Sequence, residues 1–80
     1  MKDFVYYGEL YNIYGFLLTD KQQEIFSLYY EENLSLSEIA DYQKVSKSYI
    51  GKIISTTKQK LDYYEKNLKH YELLQKINNN

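Results

Sequence analysis

Cysteine is absent from this 80-residue sequence. The chain therefore cannot form a disulfide, a thiolate nucleophile or a cysteine-based zinc site, and its composition suits a reducing, intracellular compartment. The N-terminal stretch carries Asp3 and Glu9 within its apolar pattern and lacks a small-residue cleavage site. No run approaches the roughly 18 continuous apolar residues of a membrane span. We therefore expect a soluble, cytoplasmic protein without a signal peptide or membrane insertion.

Arginine is also absent, and all ten basic residues are lysines. Lysine binds phosphate as a point charge but cannot form the bidentate fork with which arginine reads guanine. The only histidine, His70, has just Glu65 and Glu72 as neighbouring carboxylates, which makes neither a metal site nor a catalytic triad. The three glycines are too far apart to form a phosphate-binding loop. These absences predict a binding protein that is not an enzyme and uses no metal or other cofactor.

The charged residues are divided unequally between the two halves of the chain. Residues 1–41 contain two lysines and eight acidic residues, a net charge of −6, whereas residues 42–80 contain eight lysines and three acidic residues, a net charge of +5. Such a chain can place a basic face on a polyanion while its acidic face stays away. Alternatively, the charges are simply the solvated faces of different helices.

Residues 34–56 have the pattern of two short helices joined by a tight turn. Ser35 and Glu38 have the S-x-x-E spacing of a capping box, which begins the first helix. Ser46 is the N-cap candidate of a second helix that begins at Lys47. Val45 is expected to fill the turn, and the apolar residues at helical spacing are Leu36, Ile39 and Ala40 in the first helix and Ile50, Ile53 and Ile54 in the second. This pattern predicts a helix-turn-helix whose second helix enters a major groove, and the alternative is an ordinary helical hairpin.

The turn between these helices normally requires a residue at positive φ, which glycine adopts without strain. Gln43 and Lys44 occupy this position here. A non-glycine residue held there costs roughly 1 kcal/mol or more. The apolar spacing therefore matches a helix-turn-helix better than the turn chemistry does.

Two further helices are predicted before the motif. The first runs from about Asp3 to Leu18, with apolar residues at alternating spacings of three and four. The second begins at a T-x-x-Q capping box that starts with Thr19 and ends near Asn33, which can adopt a left-handed C-cap conformation. The sequence thus predicts a single all-α domain over residues 1–80, with four or five helices.

No glycine or proline interrupts the chain after Gly51. The helix that begins at Lys47 is therefore predicted to continue to about Lys76, as one long helix or with a single bend. Its C-terminal part, residues 57–76, carries an apolar seam that must fold back on the first helix or pair with a second molecule. We expect a homodimer whose interface contains Phe4, Tyr7, Tyr11, Leu61, Tyr64, Leu68 and Tyr71.

A nucleic acid, either DNA or RNA, is the ligand that the predicted motif favours. The residues assigned to this contact are Lys44, Ser46, Lys47, Ser48, Tyr49, Lys52 and Lys58, with Lys60 as a further phosphate contact. Few of these side chains can read base edges, so affinity should be mostly electrostatic and should fall steeply with salt.

The segment LTDKQQEIFSLYYEENLSLSEIADYQKVSKSYIGKIISTTKQKL resembles region 4 of sigma-70-type factors. The runs LYYEENLSLSEIA at 28–40 and VS at 45–46, with the later YYEKNL, look more closely like the YlxM family, small helix-turn-helix proteins of low-GC Gram-positive bacteria and mycoplasmas. The resemblance covers about residues 4–75. It implies a cytoplasmic, all-helical protein linked to the signal recognition particle pathway, with particle components as partners and nucleic-acid binding inferred from the fold.

The expected reading face departs from the pattern of that family. Lys47 and Ser48 stand where the family typically has an Arg-Gln pair, and Gly51 and Lys52 stand where it has a bulky polar pair. These residues read base edges poorly. The alternative hypothesis is a non-catalytic module that keeps the scaffold but binds a protein or a ribonucleoprotein. A third, weaker hypothesis is a sigma-related fragment that contacts RNA polymerase.

Overall fold

A computed structural model of the chain describes residues 2–78 and contains only helical elements in that range. The elements are α1 (Lys2–Tyr14), a short 3-10 helix (Gly15–Leu17), α2 (Asp20–Tyr30), α3 (Leu36–Gln43), α4 (Lys47–Leu68) and α5 (His70–Asn78). The molecule measures 46 × 22 × 16 Å. The longest helix is α4, whose 22 residues span about 33 Å. The prediction of an all-α fold with four or five helices and a long helix after the turn is confirmed, and the number of α-helices is five.

Polar N-caps begin the three central helices, as their spacing predicts. In the first capping box, Gln22 N donates to Thr19 Oγ1 at 3.2 Å and Thr19 N donates to Gln22 Oε1 at 3.1 Å. In the second, Glu38 N donates to Ser35 Oγ at 3.1 Å and Ser35 N donates to Glu38 Oε1 at 2.9 Å. Ser46 Oγ accepts a backbone N–H of the first turn of α4 at 3.1 Å. Each box satisfies two backbone donors that a helix start otherwise leaves unpaired.

Left-handed residues mark three of the chain's direction changes. Asn33 has φ 59° and Lys44 has φ 60°, both where the sequence predicts a positive φ. Lys69 has φ 53° and separates α4 from α5. Of the two predicted forms of the C-terminal segment, the uninterrupted helix to Lys76 is therefore wrong and the helix with one break is correct.

The first helix is shorter than its periodicity predicts. It ends at Tyr14 instead of Leu18, and the last turn tightens to the 3-10 helix, in which Leu18 N donates to Gly15 O at 3.0 Å. The Gln23 amide of α2 donates to Gly15 O at 2.8 Å and to Leu18 O at 3.2 Å. The side chain of the next helix thus satisfies carbonyl groups that a continued α-helix would have used.

The core lies where α1, α2 and α3 pack against successive parts of α4. The completely buried apolar residues are Leu10, Ile25, Phe26, Ile39, Ile50 and Leu61. Thr57 is the buried polar residue of the described core, and its hydroxyl donates to Ile53 O at 2.8 Å. Val45 was expected to fill the turn, but its side chain is exposed, and its backbone N–H closes the turn on Ala40 O at 3.0 Å. The seam of α4 folds back on α1 within one molecule, since the two helices pack together and Leu61 is completely buried.

Candidate nucleic-acid interface

The candidate interface consists of the turn at residues 44–46 and the first two turns of α4. Ile50 and Ile54 are buried against the rest of the fold, so the opposite side of α4 faces outward. The sequence-assigned residues that are exposed here are Lys44, Ser46, Lys47, Ser48, Tyr49 and Lys52. The structure brings these six together at one end of the motif.

Lys58 and Lys60, the other two lysines assigned from the sequence, point toward the protein. Lys58 Nζ lies 5.2 Å from the centroid of the Tyr7 ring of α1, a cation–π contact, and its side chain is half-buried. Lys60 Nζ donates to Gln22 Oε1 of α2 at 3.2 Å. Both side chains help to attach α4 to its neighbours, and neither lies on the exposed face with Lys52.

The segment that contains the candidate interface carries only positive charges. Residues 42–61 contain five lysines and no acidic residue. In the described part of the chain, the ion pairs are Lys21 with Glu24 at 3.4 Å and Lys76 with Glu72 at 3.9 Å. The lysines of the interface are therefore not neutralised by carboxylates of the fold, and the partial positive charge of the α4 N-terminus adds to theirs.

Acidic residues border the interface on α3. Glu38 and Asp41 are exposed, and Glu38 accepts the N–H of Ser35 in the capping box. The hydrogen bonds from the backbone and then the hydroxyl of Ser35 hold the pKa of Glu38 below its ordinary value of 4.5, so it remains an anion at neutral pH. The phosphates of a polyanion are therefore expected over α4 and the turn, away from these two carboxylates.

The exposed face of α4 extends beyond the residues that the sequence singled out. Ser55, Thr56, Gln59, Tyr63 and Lys66 follow Lys52 at spacings of three and four and are all exposed. The helical spacing counted outward from Lys52 would have found them. Gln59 is the member of this set whose amide can hydrogen-bond a base edge.

The residues assigned to a dimer interface are mostly used inside the molecule. Leu61 is completely buried and has no surface to offer a second chain. The hydroxyl groups of three half-buried tyrosines bond within the chain: Tyr7 to Asp62 Oδ2 at 2.7 Å, Tyr11 to Gln23 O at 3.0 Å and Tyr64 to Leu17 O at 3.3 Å.

The remaining three members of that set differ in exposure. Tyr71 packs edge-on against Tyr6, and Phe4 stacks on Tyr30 at 4.6 Å while keeping an exposed edge. Leu68, at 60% exposure, is the member with the most free surface.

An apolar groove adjoins Leu68 and was not foreseen from the sequence. It has a volume of about 490 Å³ and is lined by Ile13, Tyr14, Phe16, Leu17, Leu68 and His70. Phe16 lies at the edge of the groove and is 77% exposed, because the 3-10 helix turns this residue away from the core. The helical periodicity of the first segment gave no sign of this, since it predicted a regular helix there.

Residues 2–78 hold no group of three histidine, aspartate or glutamate side chains placed to share a metal ion. No helix in this described range combines the length and the apolar character that crossing a bilayer demands.

Comparison with known proteins agrees with this geometry. A family model described as "Putative helix-turn-helix protein, YlxM / p13 like" matches residues 1–80. A UPF0122 protein of Caldanaerobacter subterraneus subsp. tengcongensis is 39% identical over 79 residues, which cover 94% of this chain and 68% of that protein. One of Mycoplasma capricolum subsp. capricolum is 51% identical over 61 residues, covering 76% and 54%, and one of Clostridium botulinum is 41% identical over 76 residues, covering 95% and 67%. The chain belongs to the UPF0122 family of YlxM/p13-like helix-turn-helix proteins.

Proposed function

We propose that this chain is a non-catalytic regulatory protein of the cytoplasm that binds nucleic acid through the turn and the first two turns of α4. One observation carries the proposal: Lys44, Lys47 and Lys52 are exposed at the end of a well-packed helix-turn-helix. None of the three is in an ion pair with another described residue. Exposed, unneutralised lysines around a helix N-terminus are the groups that bind phosphate.

The binding that these residues can provide is directed mainly at the phosphate backbone. Each lysine that neutralises a phosphate releases counterions, so the affinity falls as the salt concentration rises. Ser46 and Ser48 add hydroxyl groups that can donate to phosphate oxygens. Without arginine, the surface lacks the side chain that most often reads guanine. Weak sequence preference and strong salt dependence are therefore expected.

A fluorescence-anisotropy titration tests this proposal. Labelled random duplex DNA and bacterial signal-recognition RNA are each titrated at two salt concentrations with the wild type and with Lys47→Ala/Lys52→Ala. The control, Lys69→Ala/Lys76→Ala, removes the same charge beyond the C-terminal end of α4. The proposal requires that only the first double variant loses affinity and salt dependence. Equal affinity of the two folded variants would exclude the α4 surface.

A link to the signal recognition particle pathway is part of the proposal and rests on the resemblance to the YlxM family. The RNA titration bears on it directly. Tighter binding of the signal-recognition RNA than of a size-matched unrelated RNA supports the link, and equal binding removes it.

A homodimer is also proposed, because helix-turn-helix proteins commonly present two recognition helices to one ligand. Leu68, Leu73 and Ile77 carry exposed apolar surface near the C-terminal end of the described chain and are the residues we assign to the contact. Sedimentation over a range of concentrations compares the wild type with Leu73→Lys/Ile77→Lys. A monomeric wild type would rule the dimer out.

The second candidate function is protein binding through the apolar groove. The observation that favours it is Phe16, whose ring is largely exposed beside Leu17 and Leu68. Large exposed aromatic side chains often serve as anchors in protein interfaces. A pull-down from nuclease-treated lysate, performed with the wild type and Phe16→Ser, separates this function from the first. Partners that are lost on nuclease treatment but kept by Phe16→Ser would speak against the groove.

A further inference from the structure

Most tyrosines of this tyrosine-rich chain contact another aromatic ring. Eleven tyrosines occur, and nine of them lie with their ring centroids 4.3–6.1 Å from another aromatic ring. These nine belong to α1, α2, the C-terminal half of α4 and α5. The two without a ring partner among the described residues are Tyr42 and Tyr49.

Tyr42 and Tyr49 flank the turn of the helix-turn-helix. Tyr42 lies in the last turn of α3 and is 71% exposed, and Tyr49 lies in the first turn of α4 and is 45% exposed. Neither hydroxyl is hydrogen-bonded within residues 2–78. The two rings thus present free aromatic surface, which a folded chain normally covers when it can.

The exposed lysines of the interface occur at the same place. Lys44 and Lys47 lie between the two tyrosines in the sequence, and Lys52 follows Tyr49 by three residues on α4. The two tyrosines that lack a ring partner therefore lie next to three lysines that lack an ion pair among the described residues. We call these five residues, Tyr42, Lys44, Lys47, Tyr49 and Lys52, the tyrosine–lysine surface.

We propose that the tyrosine–lysine surface binds single-stranded nucleic acid, with unpaired bases stacked on Tyr42 and Tyr49 and the phosphates contacted by the lysines. This inference rests on the proposed nucleic-acid binding and narrows its ligand. In a duplex the faces of the bases are covered by neighbouring base pairs, so a tyrosine ring can reach only base edges or the backbone. An unpaired base exposes its face, and aromatic rings beside a basic groove are the usual means of binding it.

The absence of arginine fits this ligand. Stacking tolerates any base, because every base has an aromatic face, and therefore does not need the hydrogen-bonding fork that this chain lacks. A surface of lysine and tyrosine is poorly equipped to read a major groove but well equipped to hold a strand. Unpaired DNA and unpaired RNA offer the same chemistry to it.

Anisotropy titrations with four probes of equal length, about 12 nucleotides, test the inference. The probes are oligothymidylate, oligouridylate, a DNA duplex and an abasic DNA strand. The proteins are the wild type, Tyr42→Leu/Tyr49→Leu, and Tyr42→Phe/Tyr49→Phe, which keeps the aromatic rings. Phe16→Leu is the control, since the Phe16 ring is 77% exposed but lies beside Leu17 and Leu68, outside the surface. Circular dichroism establishes that each variant is folded.

The expected result is tighter binding of the unpaired strands than of the abasic strand and the duplex. The double leucine variant should lose on the order of tenfold or more in affinity for the unpaired strands, while the phenylalanine variant and Phe16→Leu keep it. Equal binding of all charged probes, unchanged in the leucine variant, would overturn the stacking surface but leave nucleic-acid binding intact. Failure of every probe to bind at low salt would overturn both.

Discussion

The Tyr14 hydroxyl donates to Glu65 Oε1 across 2.6 Å and thereby ties the end of α1 to the junction of α4 and α5. The same hydroxyl accepts the backbone N–H of His70 at 3.0 Å. The Glu65 carboxylate accepts the N–H groups of Tyr71 and Glu72, each at 3.1 Å. Two side chains from other helices thus satisfy the first three N–H groups of α5, which would otherwise have no partner within the helix.

Tyr14→Phe should therefore loosen α5 more than a typical loss of one hydroxyl. The Tyr14 side chain is almost completely buried, so removal of its hydroxyl leaves the N–H of His70 without this acceptor and the Glu65 carboxylate without this donor. A cost of about 1.5–3 kcal/mol is expected. Hydrogen exchange should accelerate at residues 70–73, and urea denaturation should measure the global loss. Tyr63→Phe is the matched control, since the Tyr63 ring is exposed and its hydroxyl has no bond among the described residues.

Alkaline pH should weaken the same junction. Burial, followed by the hydrogen bond to Glu65, raises the pKa of Tyr14 above its ordinary value of 10.0. Since the folded-state pKa is raised, this contribution to stability is complete below pH 10 and is lost as the pH rises through the folded-state pKa. Urea midpoints above pH 10 should fall more steeply for the wild type than for Tyr14→Phe. Parallel pH dependence in the two proteins would contradict this assignment.

Local sequence signals specify the central motif, and long-range contacts specify the rest. The capping residues Ser35 and Ser46 and the positive φ of Lys44 could be predicted because each depends on neighbours within a few residues. The position of the break at Lys69 could not be predicted, because the donors of α5 are satisfied in part by Tyr14, more than fifty residues earlier. Periodicity therefore extended the helix past its true end.

The difference between local signals and long-range contacts also explains which candidate-site residues could be predicted. The exposed lysines of the turn follow from the positions of Ile50 and Ile54, which are read directly from helical spacing. The inward roles of Lys58 and Leu61 depend on α1 lying against the second half of α4. An apolar seam alone does not distinguish a helix of the same chain from a helix of a second molecule.

A second pH prediction concerns the capping box of α3. The folded-state pKa of Glu38 is lowered, so its contribution to stability is present above pH 4.5 and is lost as the pH falls through the lowered value. Glutamine at N3 makes the same bond without titrating, as Gln22 does in the box of α2. Glu38→Gln should therefore flatten the acid limb of a stability profile below pH 4.5, with little change at pH 7. A profile unchanged by this substitution would show that other carboxylates cause the acid sensitivity.

Gly51→Ala should stabilise α4. Gly51 is a helical residue without a positive φ, and a Cβ there would lie 4.0 Å from Leu36 Cδ1, an ordinary contact. The substitution reduces the entropy of the unfolded chain and should add about 0.5–1 kcal/mol, or a few degrees in Tm. Gly15→Ala is the contrasting variant, because its Cβ would lie 3.2 Å from the Tyr11 ring in a buried site. Thermal denaturation should give shifts of opposite sign for the two variants.

Lys44 combines a strained backbone with a proposed contact to phosphate, and two substitutions separate these roles. Its φ of 60° disfavours any side chain with a Cβ, so Lys44→Gly should stabilise the fold by about 1 kcal/mol relative to Lys44→Ala. Both variants lose the same charge and should weaken nucleic-acid binding equally. Urea denaturation measures the first difference and anisotropy titration the second. If Lys44→Gly proves no more stable than Lys44→Ala, the left-handed turn is not strained. If both variants bind nucleic acid as tightly as the wild type does, Lys44 does not contact phosphate.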